Sequence, residues 1–425
     1  MARHRKKKDK NGETKELFKL TSLQTPDYEN EDDDPEASEE GKERLKKIRV
    51  PKAVYRIALI LLALVLGLAC WVNRDRLTLE HITSWVKLQF VGDNTGDGFP
   101  VSITGSSVAA GNFTAQSGDV LVLSDTSLTK LDVIGRSMLS LRHSFSAPSL
   151  RTAGDKTLLY NQGSVGYLLL SGTQTIVSGS APHDILVGAV AQNGRHALGT
   201  QGADGASELD VYQRDGTLQF QYMFAKDYIT AAALNYDGTM GVVCTVRAEK
   251  GELVSRVVIF DFNEPDPVAQ YEAKGNYLLD VSWTEGGDIY AVGDTAILLA
   301  DSSRYEFTEY SYDGRRLTAC HFGQGRAFLS VSAYEHAGPS TLLVFHRKAE
   351  PVRIEAPERI VSISAYGGTV GVLTDATVFY YDFSSGIAIE QVPAGSDAKS
   401  LALGSESLAF VLGVSEVRTV QIDGS

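Results

Sequence analysis

The chain holds 425 residues, 43% of them hydrophobic, with a net charge of −13 and three cysteines. The charge is uneven: up to Arg56 there are 15 Lys/Arg and 13 Asp/Glu, which leaves 25 basic against 40 acidic residues beyond it. A region that acidic offers no electrostatic footprint to a phosphate backbone, so nucleic-acid binding is excluded. Three cysteines are also too few for a disulfide framework.

Residues 1–51 read as a disordered cytoplasmic tail. A basic cluster from Arg3 to Lys10 and an acidic one from Glu29 to Glu43 leave little apolar surface to bury. Residues 52–73 read as a transmembrane helix. From Ile57 to Val72, sixteen residues carry no charge, and Leu62 and Leu66 are two of six leucines in the run. At ~1.5 Å per residue such a helix covers ~24 Å of a ~30 Å hydrocarbon core. Val54 and Tyr55 extend it, Lys52 and Arg56 reach for headgroups, and Trp71 suits the far interface. Seven basic residues lie between Lys42 and Arg56, against Arg74, Arg76 and Lys87 on the other side. The positive flank places the N-terminus in the cytoplasm and the C-terminal region outside the cell membrane. No Ala-x-Ala site follows the run, and Gly67 in Gly67-Leu68-Ala69-Cys70 stands where a lipoprotein cleavage box needs a bulky aliphatic. The helix is therefore expected to stay as an anchor in the lipid bilayer. Leu77, Ile82, Trp85, Val86 and Phe90 recur at helical spacing, which predicts an amphipathic stalk within residues 74–98.

From residue 99 to residue 425 the pattern becomes a repeat of strands. Three windows align without a gap: DVLVLSDTSLTKLD from Asp119, DIYAVGDTAILLAD from Asp288 and TVGVLTDATVFYYD from Thr369. Each is an apolar strand, a tight turn at a central aspartate (Asp125, Asp294, Asp375) and a second strand ending in Asp132, Asp301 or Asp382. These are hairpins. A strand ending in a glycine turn precedes each hairpin, and a shorter, more polar strand follows it. First strands are expected near Val108, Pro148, Ile185, Ile229, Tyr277, Leu317, Ile360 and Lys399, at intervals of 37 to 48 residues. Four short strands per ~40–45 residues is the blade period of a β-propeller. The last unit has three strands, Lys399–Leu403, Ser407–Leu412 and Glu416–Ile422, while Pro100–Thr104 has no partner of its own. Pairing the two closes the ring. The expected fold is all-β: eight four-stranded blades, with seven as the alternative, closed by an N-terminal strand.

Gly98-Phe99-Pro100, Ser106-Ser107-Val108, the run LSDTSLTKLD, His143-Ser144-Phe145-Ser146-Ala147-Pro148 and Leu158-Leu159-Tyr160 resemble an uncharacterised family of Gram-positive bacteria. Its members are single-pass, membrane-anchored propellers carrying a domain of unknown function, and the resemblance implies a cell-surface location and no catalytic residues. The pattern is also similar to eight-bladed quinoprotein propellers, which carry a Trp-bearing docking motif in most blades. This propeller has one tryptophan, Trp283, a departure that speaks against a quinone.

Other motifs carry no chemistry. Asp93-Asn94-Thr95-Gly96-Asp97-Gly98 opens like a calcium loop, but its twelfth position is Thr104 where a bidentate Glu is needed. Ser127-x-x-Lys130 and Ser396-x-x-Lys399 have the serine–lysine spacing, which needs a helix and here falls in strands or turns. The histidines show no metal-ligand spacing. No catalytic residue, cofactor or metal is therefore expected. Asp125, Asp294 and Asp375 are the candidate rim-binding residues, although turn chemistry alone accounts for aspartate there. The function expected is an extracytoplasmic binding or scaffolding module for a protein, peptide or cell-wall ligand. The alternatives are a channel-site enzyme (hydrolase, lyase or oxidoreductase) and a transmembrane sensor. Cys244 and Cys320 fall in the second strand of the fourth blade and the first strand of the sixth, so both are expected to be buried, free thiols.

Overall fold

The computed structural model describes residues 98–422 apart from Glu335. The expected tail, the helix around Ile57, Leu62, Leu66 and Val72, and the amphipathic stalk lie outside the described residues. Within them no helix is long and apolar enough to cross a membrane.

The described residues form eight antiparallel four-stranded sheets. Seven are consecutive in sequence. Their first strands begin at Val108, Pro148, Ile185, Tyr228, Leu278, Arg316 and Ser362, each within two residues of its expected position. The eighth combines Ser400–Leu403, Leu408–Leu412 and Glu416–Gln421 with Val101–Ser102 as its outermost strand. Eight blades, closed by the N-terminal strand, is the observed ring.

Burial explains why each strand has its composition. Second strands such as Asp119–Ser124, Lys156–Asn161 and Asp288–Gly293 are buried at every residue. They lie between two neighbouring blades, so both faces must be apolar. Outer strands such as Ser137–Arg142 and Ala388–Pro393 are mostly exposed and mix polar with apolar residues. The core is eight separate wedges, one between each pair of neighbouring blades. Val187, Leu209 and Phe220 of blade 3, for instance, meet Ile229, Val258 and Phe260 of blade 4. The wedges narrow toward the axis, and the first strands accordingly carry small residues. Gly188 is one: a Cβ there would come within 2.8 Å of the Tyr160 ring of blade 2.

Chain direction defines two faces. The link face carries the segments joining one blade to the next, together with the turns between second and third strands. The turn face carries the other turns. Aspartates at the ends of third strands build turns there: Asp132 Oδ1 accepts the amides of Ile134 and Arg136, and Asp382 Oδ1 those of Ser384 and Ser385. On the link face, serines clasp adjacent blades. Ser207, Ser255 and Ser340 accept the amides of Ile229, Leu278 and Ile360 in the following blades, at 3.2 to 3.4 Å.

Closure is made locally. Val101 pairs with Val417 and Ser102 with Glu416, Ile103 N donates to Ser415 O at 2.9 Å, and the Phe99 ring lies 5.6 Å from that of Phe410. Replacing Ile103 by Pro removes that donor, and Phe99→Ala removes the ring contact; each is expected to cost about 1 kcal/mol or more. Hydrogen exchange checks it: amides from Glu416 to Gln421 should lose protection while those of blade 4 keep theirs. Unchanged protection would mean that the N-terminal strand does not hold the ring.

Candidate functional site

The first strands leave a channel along the axis. Two cavities of about 350 and 510 Å³ occupy it, sharing Gly111, Thr114, Asp280 and His321 in their walls. Small residues such as Gly111, Ala110, Ala189, Ala232 and Ala319 are among the lining and leave space at the axis. Across it runs one ion pair: Arg151 of blade 2 approaches Asp280 of blade 5 at 3.9 Å. Arg151 lies deep in the ring, yet 41% of its side chain is exposed, because what surrounds it is open channel. Burial disfavours its cation, but Asp280, Tyr160 and Cys320 together hold its pKa above the usual guanidinium value. Sequence reasoning missed this pair. Neither residue sits in a motif, and only the ring brings their blades face to face.

Two chemically active side chains share the channel wall, and burial favours the uncharged form of each. Burial among wall atoms pushes the Cys320 thiol up to about 12 and the His321 imidazole down to about 4. At neutral pH one is a thiol and the other an uncharged ring. Cys320 also corrects an expectation: both cysteines are free, but only Cys244 is buried, whereas Cys320 is exposed to the channel. Its first strand has a bulge between Leu317 and Ala319, which breaks the alternation that a simple strand reading assumes. The Thr318 hydroxyl donates to the Ser330 carbonyl beside that bulge, at 3.2 Å. Thr230 does the same for Cys244 at the equivalent bulge of blade 4.

The three candidate rim aspartates all lie on the link face, in turns between second and third strands. Two are engaged by the adjoining link segment. Asp125 accepts from the Ser106 amide at 2.8 Å and its hydroxyl at 2.6 Å, contacts that hold its carboxyl below the usual range. Asp294 accepts from the Tyr277 amide at 2.7 Å. Asp375 is exposed and has no hydrogen-bond partner among the described residues. The serine–lysine pair is separated as well: Ser127 donates to Thr104 O, while Lys130 pairs with Asp119 and Gln116.

The link face carries a further feature. Met223, Tyr228, Leu253, Tyr277, Leu279 and Tyr334 are large apolar side chains left exposed there, in four consecutive blades from the third to the sixth. Leu253 stands on a hairpin, Met240–Glu249 with Glu252–Asp261, whose ten-residue strands are the longest of the ring. The base of that hairpin is tied by Asp227, which binds both Arg247 and Arg256. Val414, in the turn between second and third strands of blade 8, is also exposed on the link face but stands apart from this sector. The other exposed apolar side chains are dispersed toward the turn face or outer strands, such as Met138 in blade 1 and Ile387 in blade 7.

The described residues and the channel along their axis define an eight-bladed β-propeller. The chain belongs to a family of unknown function (DUF5711), whose model matches residues 101–316. Among solved structures it is similar to BamB from Moraxella catarrhalis, at 10% identity and a TM-score of 0.47, over 76% of this chain and 100% of that one. It is similar also to Kuenenia stuttgartiensis hydrazine synthase, at 10% identity and a TM-score of 0.43, over 64% of this chain and 94% of that one. No curated protein matches the chain.

One buried titratable group makes a prediction about acid. His196 is fully buried at the interface of blades 2 and 3, stacked 5.3 Å from the Tyr212 ring, with Nδ1 3.3 Å from Gly194 O. Burial pushes its pKa from 6.5 down to about 4. The unfolded chain therefore takes up this proton at higher pH than the folded one. Stability from the neutral ring is fully present above pH ~6.5, is lost as pH falls, and levels off below ~4, a total of about 3 kcal/mol. Denaturant midpoints measured across that window should fall for the parent chain and fall less for His196→Phe. Parallel curves would show that His196 is not the acid-labile group.

Proposed function

We propose that this protein is a membrane-tethered, extracytoplasmic binding module whose link face docks a protein partner. The observation that carries the reading is the set of exposed Met223, Tyr228, Leu253, Tyr277, Leu279 and Tyr334 around one sector of that face. Aromatic and Met side chains left in water are what interface cores are made of.

The path of the chain supports the same face. Gly98 lies on the turn face, where its carbonyl is so near Gly135 that a Cβ there would approach to 3.0 Å. The described chain therefore enters the propeller on the turn face, and the link face is the side opposite that entry. The positive flank Lys42–Arg56 argues for a cytoplasmic N-terminus. Binding is favoured over catalysis by the channel chemistry: its thiol is protonated, its imidazole has a depressed pKa, and no group of three His, Cys, Asp or Glu is placed to hold a metal among the described residues.

A photo-crosslinking residue placed at Leu253 tests the reading in intact cells. It is expected to give a discrete protein adduct, weakened by Tyr277→Glu and absent when the crosslinker stands at Met138. Both sites are exposed, so these changes should alter stability by no more than about 0.5 kcal/mol. A polysaccharide adduct, or equal adducts from both positions, would overturn the assignment of a protein partner to this face.

A further inference from the structure

We infer that the middle of the channel is a binding site for a small anion, carrying a carboxylate or phosphate group received by the Arg151 guanidinium. This site is separate from the link face and does not depend on what docks there.

The distribution of charge is the first ground. The eight first strands contain only three Asp, Glu, Lys or Arg side chains: Arg151, Asp280 and Arg316. Arg316 begins its strand at the link-face end. Lys399 adjoins the first strand of blade 8 and lines the larger cavity, and its ammonium has no ion-pair partner among the described residues. The channel lining is thus net positive, whereas the chain beyond Arg56 has 25 basic and 40 acidic residues. His321 adds no charge at neutral pH because burial keeps it unprotonated. An acidic body with a positive, confined interior selects anions small enough to enter.

The geometry of Arg151 is the second ground. Its Nη1 donates to Leu150 O at 3.3 Å, and its Nη2 reaches Asp280 Oδ1 only at 3.9 Å. A paired guanidinium and carboxylate normally close to about 2.7–2.9 Å through two parallel bonds. Here the pair is long and single-pointed, so most of the five donors face open channel without a protein acceptor among the described residues. A carboxylate or phosphate oxygen supplies the acceptors that Asp280 does not. Asp280 then acts as the competitor that keeps the guanidinium in place while the site is empty. Ser282 and Thr152 line the same cavity and offer hydroxyl donors beside it.

Calorimetric titration of the full chain in uncharged detergent, at constant ionic strength, tests this with acetate, inorganic phosphate and citrate. At least one probe is expected to bind saturably at one site per chain. Arg151→Gln should weaken it about tenfold or more, and Arg151→Lys, which keeps the charge but loses the planar fork, should also weaken it. Asp280→Asn should tighten it about threefold, because the competing carboxylate is gone while a hydrogen-bonding side chain remains. Lys250→Gln, on the exposed tip of the blade-4 hairpin, should leave it unchanged. A pure cross-channel strut predicts the opposite pattern: Asp280→Asn lowers the melting temperature and does not raise affinity. That result, or saturable binding by none of the probes, or unchanged binding in Arg151→Gln, overturns the site. If Arg151→Gln does not fold, Arg151→Lys decides.

Discussion

A four-stranded sheet that is apolar on both faces cannot be stable until something covers each face, and in this protein only another blade does so. Every blade contributes one face to each of two wedges, as blade 4 does through Val258 and Phe260 on one side and Val257 and Ile259 on the other. The requirement passes from blade to blade and is satisfied only when the last meets the first, where Phe410 and Leu412 pack with Phe113 and Val122. Ring closure is therefore the condition on which the separate cores depend. It explains why the outer edge of blade 8 is filled by residues from the opposite end of the propeller sequence rather than left open.

The same geometry creates the channel. Eight wedges that taper toward an axis leave no room for large side chains at their tips, so alanine, glycine and serine collect there and the centre stays hollow. A charged side chain placed in such a lining has few neighbours to pair with. Arg151 finds Asp280, which lies three blades away around the ring, and finds it only loosely. Polarity at the rim follows a different rule. Asp125 and Asp294 sit where the incoming link segment presents backbone amides, and their carboxylates serve that segment first. A ligand that approached them would compete with bonds that fix the start of a blade.

The period of the repeat, the hairpins around Asp125, Asp294 and Asp375, the eight blades and the closing strand were legible in the sequence, because each is a local pattern of apolar runs and turn residues. Cys320 shows where that legibility stops. Its strand was placed correctly, but a bulge between Leu317 and Ala319 cannot be seen in a pattern of residue types, and the exposure of the thiol turns on it. Arg151 and Asp280 illustrate a second limit. Each reads locally as an unremarkable polar residue in a short strand, and their meeting is a property of ring size alone. A seven-bladed closure would have set different strands across from one another. The exposed aromatic sector on the link face was hidden for a similar reason, since Tyr228, Leu253 and Tyr277 belong to different strands and share only a side of the ring.

The family match ends at Arg316, the first residue of the sixth blade's inner strand. The matched segment holds five complete blades and the closing strand Val101–Ser102, but not the blade that this strand completes. Such a segment has two open wedges and an unpaired closing strand, so the physical unit must extend to the end of blade 8 even though the recognisable similarity does not. Arg151, Asp280 and most of the exposed link-face side chains fall inside the matched segment, whereas Lys399, Tyr334 and Asp375 fall outside it. Closure needs only apolar wedges of the right width from blades 6 to 8, a demand that many sequences meet. The channel pair and the aromatic sector need particular side chains at particular places, and they lie almost entirely in the part of the ring where the family pattern is defined.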